Sequence, residues 1–230
     1  MKSHLSIKLL FVTLFFIGIF TMVSKTQSQV APIFWVTWKA ENYSAPGFSG
    51  KSLPSNNTPI SIAFELILNG NVVDLKPEEI RWYVDGAFVA KSLGLKEYSF
   101  KSNIGTGTHS IRIEIPKFQK GNSLMKNIQI PVSRPEIVLD SPYSKSSVTS
   151  NQLVLEAHPY FFNVNQISGL MWGWKINNVA PENLTEKPNK ITVDFPVEMP
   201  SGSQVLVNVE ARNILKNTER AETMSLFTIL

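Results

Sequence analysis

Three histidines, eighteen carboxylates and no cysteine supply whatever acid–base, nucleophilic or metal chemistry this 230-residue chain offers. His4 lies in the N-terminal segment, His109 begins an alternating run, and His158 ends another. Neither a His-x-x-x-His pair nor a carboxylate at ligand spacing accompanies them, so they read as structural. Asp74, Glu78, Glu79 and Asp85 fall in one stretch. A general acid/base pair or a calcium loop would draw on such residues, but no Asp-x-Asp-x-Asp run organises them, and the stretch reads as a solvated turn. A Gly-x-Ser-x-Gly elbow, a phosphate loop after a strand and a complete serine/lysine signature are all missing. Gly105-Thr106-Gly107 precedes no helix and reads as a hairpin signal. Without cysteine there is no disulfide, thiolate, Cys-based zinc site or lipid-modified N-terminal Cys. These residues assign no catalytic, cofactor-binding or metal site, and the expectation is a non-enzyme without a cofactor.

The formal charge of +4 hints at nucleic acid, but Lys2, Lys8 and Lys25 flank an N-terminal run that holds no acid. Setting them aside leaves 19 basic against 18 acidic residues. No Lys/Arg stripe remains for phosphates, so no nucleic-acid partner is expected.

Aromatic residues offer a second kind of chemistry. Trp82, Trp172 and Trp174 lie on apolar faces and read as core. Phe34, Trp35 and Trp38 follow the N-terminal run, placed to cover an open domain end or to sit at a membrane interface. Tyr160, Phe161 and Phe162 enter a loop in His158–Asn163. There they form either a sugar- or partner-binding platform or the plug of a sandwich end. The sequons at Asn42, Asn56 and Asn183 read as chance in a chain of bacterial type.

The elements that position these residues are strands. Ile60, Ile62, Phe64, Leu66 and Leu68 share one face, as do Ile111, Ile113 and Ile115, with Arg112 and Glu114 opposite. Leu170, Trp172, Trp174 and Ile176 form another face, and Val205, Val207 and Val209 a fourth. Such alternation marks antiparallel strands with one solvated face. Asn69-Gly70, Asp85-Gly86, Asn177-Asn178 and Ser201-Gly202 punctuate them as turns. Leu75–Ile80 is the one place where a single helical turn is expected.

An internal repeat sets the domain count. Arg81–Gly86 returns as Gly173–Asn178 at an offset of 92, and Gly107–Ile115 as Gly202–Glu210 at 95. Two landmarks in one order imply two copies of a unit of roughly 90–100 residues, the size of an immunoglobulin-like sandwich. The boundary is expected near Pro131–Pro135. The expected domains are 1–28, a signal peptide or membrane anchor, then sandwiches at 31–133 and 134–230.

The N-terminal segment pairs Lys2 and Lys8 with the apolar run Leu9–Val23. As a helix that run spans roughly 22 Å, short of the roughly 30 Å bilayer core. Length favours a signal peptide, while the weak small-residue site at Thr26-Gln27-Ser28 leaves cleavage open. Both outcomes place the remainder outside the cytoplasmic membrane, secreted or anchored. Membrane contact is expected only through residues 7–23, if uncleaved.

The pattern Trp-hydrophobic-x-Asp-Gly, then Gly-x-His/Gln-x-hydrophobic-x-hydrophobic, resembles bacterial Ig-like and PKD-like surface domains. Trp82 with Gly107, and Trp174 with Gly202, take the matching positions. Asn177-Asn178 departs from the usual Asp/Asn-Gly, and the acidic loops of calcium-binding relatives are missing. The segments Thr37–Tyr43 and Gly50–Pro54 resemble exported hypothetical proteins of uncultured bacteria. The resemblance implies an all-β chain: two tandem immunoglobulin-like (PKD-like) β-sandwiches preceded by an N-terminal hydrophobic helix. It implies a non-catalytic exported surface or envelope protein, a spacer, adhesion or appendage-accessory module with a protein or glycan partner at the cell surface. The alternatives are a carbohydrate-binding module using loop aromatics and, below it, a hydrolase with an unrecognised site.

Overall fold

The computed structural model describes residues 31–118, 121–143, 146–181, 187–196 and 199–230. The N-terminal apolar run, and the helix expected of it, lie outside the described residues. The first unit carries β1 (Ile33–Ala40), β2 (Pro59–Leu68), β3 (Asn71–Val72), β4 (Glu79–Val84), β5 (Ala87–Leu93), β6 (Glu97–Lys101), β7 (Gly107–Phe118) and β8 (Asn122–Val132). The second carries β9 (Glu136–Asp140), β10 (Ser147–Val148), β11 (Gln152–Tyr160), β12 (Leu170–Ile176), β13 (Lys190–Asp194), β14 (Gln204–Asn213) and β15 (Lys216–Ile229).

In the first unit β2 pairs with β1 on one side and with β6 and β3 on the other. The facing sheet runs β5-β4-β7-β8. Ile60, Ile62, Phe64 and Leu66 from β2 meet Ile80, Trp82, Ile111, Ile113 and Ile115 from the facing sheet. The second unit repeats the plan, with β9-β11-β13 against β10-β15-β14-β12. Its core joins Leu153, Leu155 and Ala157 to Trp174, Val205, Val207, Val209 and Phe227. The period-two runs therefore point their apolar sets inward, and each fully buried aliphatic residue contributes about 1.5–3 kcal/mol.

Both copies use the same two devices. Trp82 Nε1 donates to the Leu95 carbonyl at 2.9 Å, and Trp174 Nε1 to the Pro188 carbonyl at 2.9 Å. Asp85 and Asn177 each clamp the strand opposite. Asp85 N donates to Ser110 O while its Oδ1 accepts from Ser110 N; Asn177 makes the same pair with Leu206. Asn69-Gly70, Asp85-Gly86 and Asn177-Asn178 all carry positive φ at both positions. That backbone is a type I′ hairpin, and asparagine tolerates the left-handed region well enough to replace glycine at 178.

The register corrects the repeat by one residue. Val84 lies opposite Ile111 and Ile176 opposite Val207. Residue 111 thus matches 207 rather than 206. The difference is a full inversion of faces, because side chains alternate with period two. The buried counterpart of His109 is Val205, not Gln204. At Leu75–Ile80 the chain makes a reverse turn rather than a helical one, closed by Glu78 N on Leu75 O at 3.0 Å.

Glu156 on β11 and Lys190 on β13 bridge neighbouring strands at 2.6 Å. The Lys190 ammonium holds the Glu156 carboxyl below its ordinary value, against the opposing effect of burial. A carboxyl depressed in the folded state stabilises above its unfolded pKa and loses that contribution as pH falls through the folded one. Glu156→Gln should therefore reduce acid sensitivity by less than about 1 kcal/mol, as read from urea titrations at several pH values. Trp82→Phe and Trp174→Phe each remove the donor of a part-buried hydrogen bond and put a smaller ring in the core. Each should cost about 1–3 kcal/mol by urea denaturation, the lost bond and the lost packing together.

Candidate functional site

Among the described residues, Ser102, His109 and Asp85 form an arrangement with the look of catalytic machinery. His109 Nδ1 donates to Asp85 Oδ2 at 2.7 Å, and its Nε2 faces Ser102 Oγ at 3.1 Å. The three come from the end of β6, the start of β7 and the β4–β5 turn. Order and spacing match a serine–histidine–aspartate relay, but accessibility does not. Ser102 is 1% exposed and His109 is fully buried, whereas the Asp85 side chain is open to water. A nucleophile must meet its substrate, and this hydroxyl instead contacts Ile104 O at 3.2 Å. The line ties three chain segments together at one end of the sandwich. His109 lies on an inward strand face with both ring nitrogens engaged inside the chain.

The remaining polar candidates disperse. Glu79 pairs with Arg81 at 2.7 Å, Asp74 accepts from Lys76 N, and Asp85 belongs to His109. His158 lies 3.8 Å from Asp140 across the β9–β11 pair. Among the described residues no group of three His, Asp or Glu could hold a metal ion.

The loop aromatics do not form a platform. Phe162 is fully buried in the second core, and Phe161 is 8% exposed. Phe161 instead joins the two units. Phe48, from the β1–β2 connection, packs edge-on against Tyr160 at 5.2 Å and Phe161 at 6.5 Å. Tyr43 N donates to Phe162 O at 2.8 Å, and Phe161 N returns the bond to Tyr43 O at 3.2 Å. Burial, then the charge of Tyr160, push the Tyr43 phenol above its ordinary pKa. Phe161 holds φ = 64°, a left-handed backbone costing on the order of 1 kcal/mol for such a residue.

Asn163 completes this junction. Its Oδ1 accepts from Thr58 Oγ1 at 2.6 Å, and its Nδ2 donates to Ser55 Oγ and Asn56 O at 3.2 and 3.0 Å. Its backbone N donates to Glu219 Oε1 at 2.5 Å, while Glu219 Oε2 accepts from Asn213 at 2.8 Å. Ser133 N donates to Pro54 O at 3.0 Å beside it. The side-chain amide therefore holds three groups of the first unit while the backbone N–H holds Glu219 of the second, a carboxylate only 6% exposed. Sequence reading missed this hub, since its partners lie 105–108 positions away.

Trp35 is separate from all of this. Phe34, Val36 and Trp38 pack toward the first core, and Lys51 Nζ lies 3.9 Å above the Trp38 ring. Trp35 points the other way and is 68% exposed.

The described strands define an all-β protein of tandem immunoglobulin-like sandwiches. No protein-family model and no curated protein matches the chain. Among solved structures it is similar to the fibronectin(III)-like modules of Clostridium thermocellum CbhA. Identity there is 12% over 84% of this chain and 93% of that one, with a TM-score of 0.27. It is also similar to three N-terminal domains of the bacteriophage RB49 outer capsid protein Hoc, at 10% identity over 86% and 59% of the two chains and a TM-score of 0.43. Sidekick-1 immunoglobulin domains 1–4 match at 13% identity over 85% and 66%, with a TM-score of 0.29. These likenesses concern the fold alone.

Asn163→Ala removes all three side-chain contacts to Ser55, Asn56 and Thr58. It should lower stability by about 1–3 kcal/mol and broaden the interunit distance distribution in small-angle X-ray scattering, while far-UV circular dichroism stays unchanged.

Proposed function

We propose that this chain is a non-catalytic exported surface or envelope module of the bacterial Ig-like/PKD-like type. Two sandwiches, at 31–133 and 134–230, act as a spacer or adhesion element of fixed geometry. The observation that carries this reading is the Asn163 junction. A three-residue connector alone would let two units swing, and relative motion is the default for small interdomain contacts. Here side-chain amide, backbone and aromatic contacts all cross between the units. A rigid body transmits position and load, as a spacer or adhesin must. Residues 1–28 direct export or tether the chain, with membrane contact through 7–23 where they are retained. The burial of Ser102 supports the non-catalytic half of the reading.

Two measurements test it. In intact bacterial cells the chain should be found outside the cytoplasmic membrane and be digested by added protease; recovery in the cytosol would sink the proposal. A fluorophosphonate probe should leave Ser102 unlabelled, whereas stoichiometric labelling abolished by Ser102→Ala would make the protein a hydrolase. Ser102→Ala itself should cost about 1–3 kcal/mol of stability through its lost contacts to His109 and Ile104.

A further inference from the structure

We propose that the outer face of the β1-β2-β6 sheet binds a neutral glycan, with one pyranose ring stacked on Trp35. The solvated face of an antiparallel sheet is ordinarily polar. Thr37, Lys39, Ser61 and Ser99 keep to that rule on this face. At one end it breaks down: Trp35, Ile67 and Val72 line a concave site of about 330 Å³ with Glu65, Lys96 and Glu97. That volume suits a small ligand, for which sites run roughly 300–1,000 Å³. Trp35 stands directly across from Glu65, and Ile67 across from Val72.

The second observation is an orphaned acceptor. Glu65 Oε1 takes the Lys96 ammonium at 2.5 Å. Glu65 Oε2 has no donor among the described residues, although the side chain as a whole is 45% exposed. A carboxylate oxygen left unpaired at the wall of a groove is open to a donor from outside the chain. A ligand hydroxyl supplies it.

The chemistry narrows the occupant. Two carboxylates face one ammonium, so the site repels anions. A flat indole with acceptors and a donor at its rim fits a ring with C–H groups on one face and hydroxyls around its edge. The C–H groups meet the negative face of the indole, and the hydroxyls meet Glu65, Glu97 and Lys96. A bilayer would favour a basic rim around the apolar patch. A second copy of the chain would need about 800 Å² per partner, more than Ile33, Trp35, Ile67 and Val72 provide.

The test uses the full chain in micelles of a detergent without a sugar headgroup, titrated with cellohexaose, xylohexaose and mannohexaose by calorimetry. Saturable binding to one of them is expected, with a Kd on the order of 0.1 mM for a site built on a single aromatic anchor. Trp35→Ala should weaken it by about tenfold or more, and Glu65→Gln by about fivefold. Phe88→Ala, an exposed aromatic of the facing sheet, should leave it unchanged. Near-UV circular dichroism checks that each variant is folded. Absence of binding to all three sugars at about 10 mM, or binding indifferent to Trp35→Ala, overturns the proposal. So does a Trp35-dependent self-association, or a Trp35-dependent partition into phosphatidylcholine vesicles, without glycan binding. None of these outcomes touches the spacer reading, which rests on Asn163 and on cellular location.

Discussion

The indole N–H groups of Trp82 and Trp174 each find a backbone acceptor, and those two bonds organise both sandwiches. Trp82 sits on β4, inside its sheet, and Trp174 on β12, at the edge of its sheet, and both side chains are buried between the sheets. Each reaches a carbonyl just upstream of a strand in the opposite sheet, Leu95 before β6 and Pro188 before β13. The bond therefore fixes where the chain enters the second sheet relative to the centre of the first. Around each indole the branched residues of neighbouring strands fill the remaining volume at crystal-like density. Losing the indole would give up both that bond and the packing of the larger ring.

The Asx clamp at the end of those strands is shared by the two copies, and the difference between them explains the most misleading feature of the molecule. Asn177 and Asp85 both pin the opposite strand with Oδ1. In the second copy the inward residue beside the clamp is Val205. In the first it is His109, a polar ring inside an apolar end that needs partners for both nitrogens. Asp85, already positioned by the clamp, supplies one through its free oxygen, and Ser102 supplies the other. Satisfying a buried histidine is enough to generate a serine–histidine–aspartate line without any selection for chemistry.

Much of the fold was legible in the residues because it rests on local order. Period-two runs such as Ile60–Leu66 name their own faces, and the Trp82/Trp174 repeat announces two copies. What stayed hidden depends on register or on distance. The one-residue shift between Gln204 and Val205 inverts a face; matching Gly107 to Gly202 favoured the wrong offset even though it set Asn208 and Glu210 against Ile113 and Ile115. Asn163 looks like an ordinary loop residue; only folding brings Ser55, Asn56 and Thr58 to it. Phe161 and Phe162 were ambiguous for the same reason, since a loop aromatic is either a platform or a plug according to what packs over it. Phe48 and Tyr43 decide for the plug, and they come from the other unit.

Trp35 is the instructive contrast. Strand β1 already meets the core through Phe34, Val36, Trp38 and Ala40, so its packing is complete without the residues between them. Nothing in the sandwich requires an aromatic at position 35, where Thr37 and Lys39 show what the face otherwise accepts. Leaving an indole in water forgoes the burial that makes tryptophan stabilising elsewhere in this chain. The same face holds a carboxylate oxygen with no donor among the described residues. Folding explains neither, whereas it accounts for Trp38, Trp82, Trp174, Phe161 and Phe162. Two independent departures from the rule, converging on one concave end of a sheet, are what separates a binding surface from an untidy one.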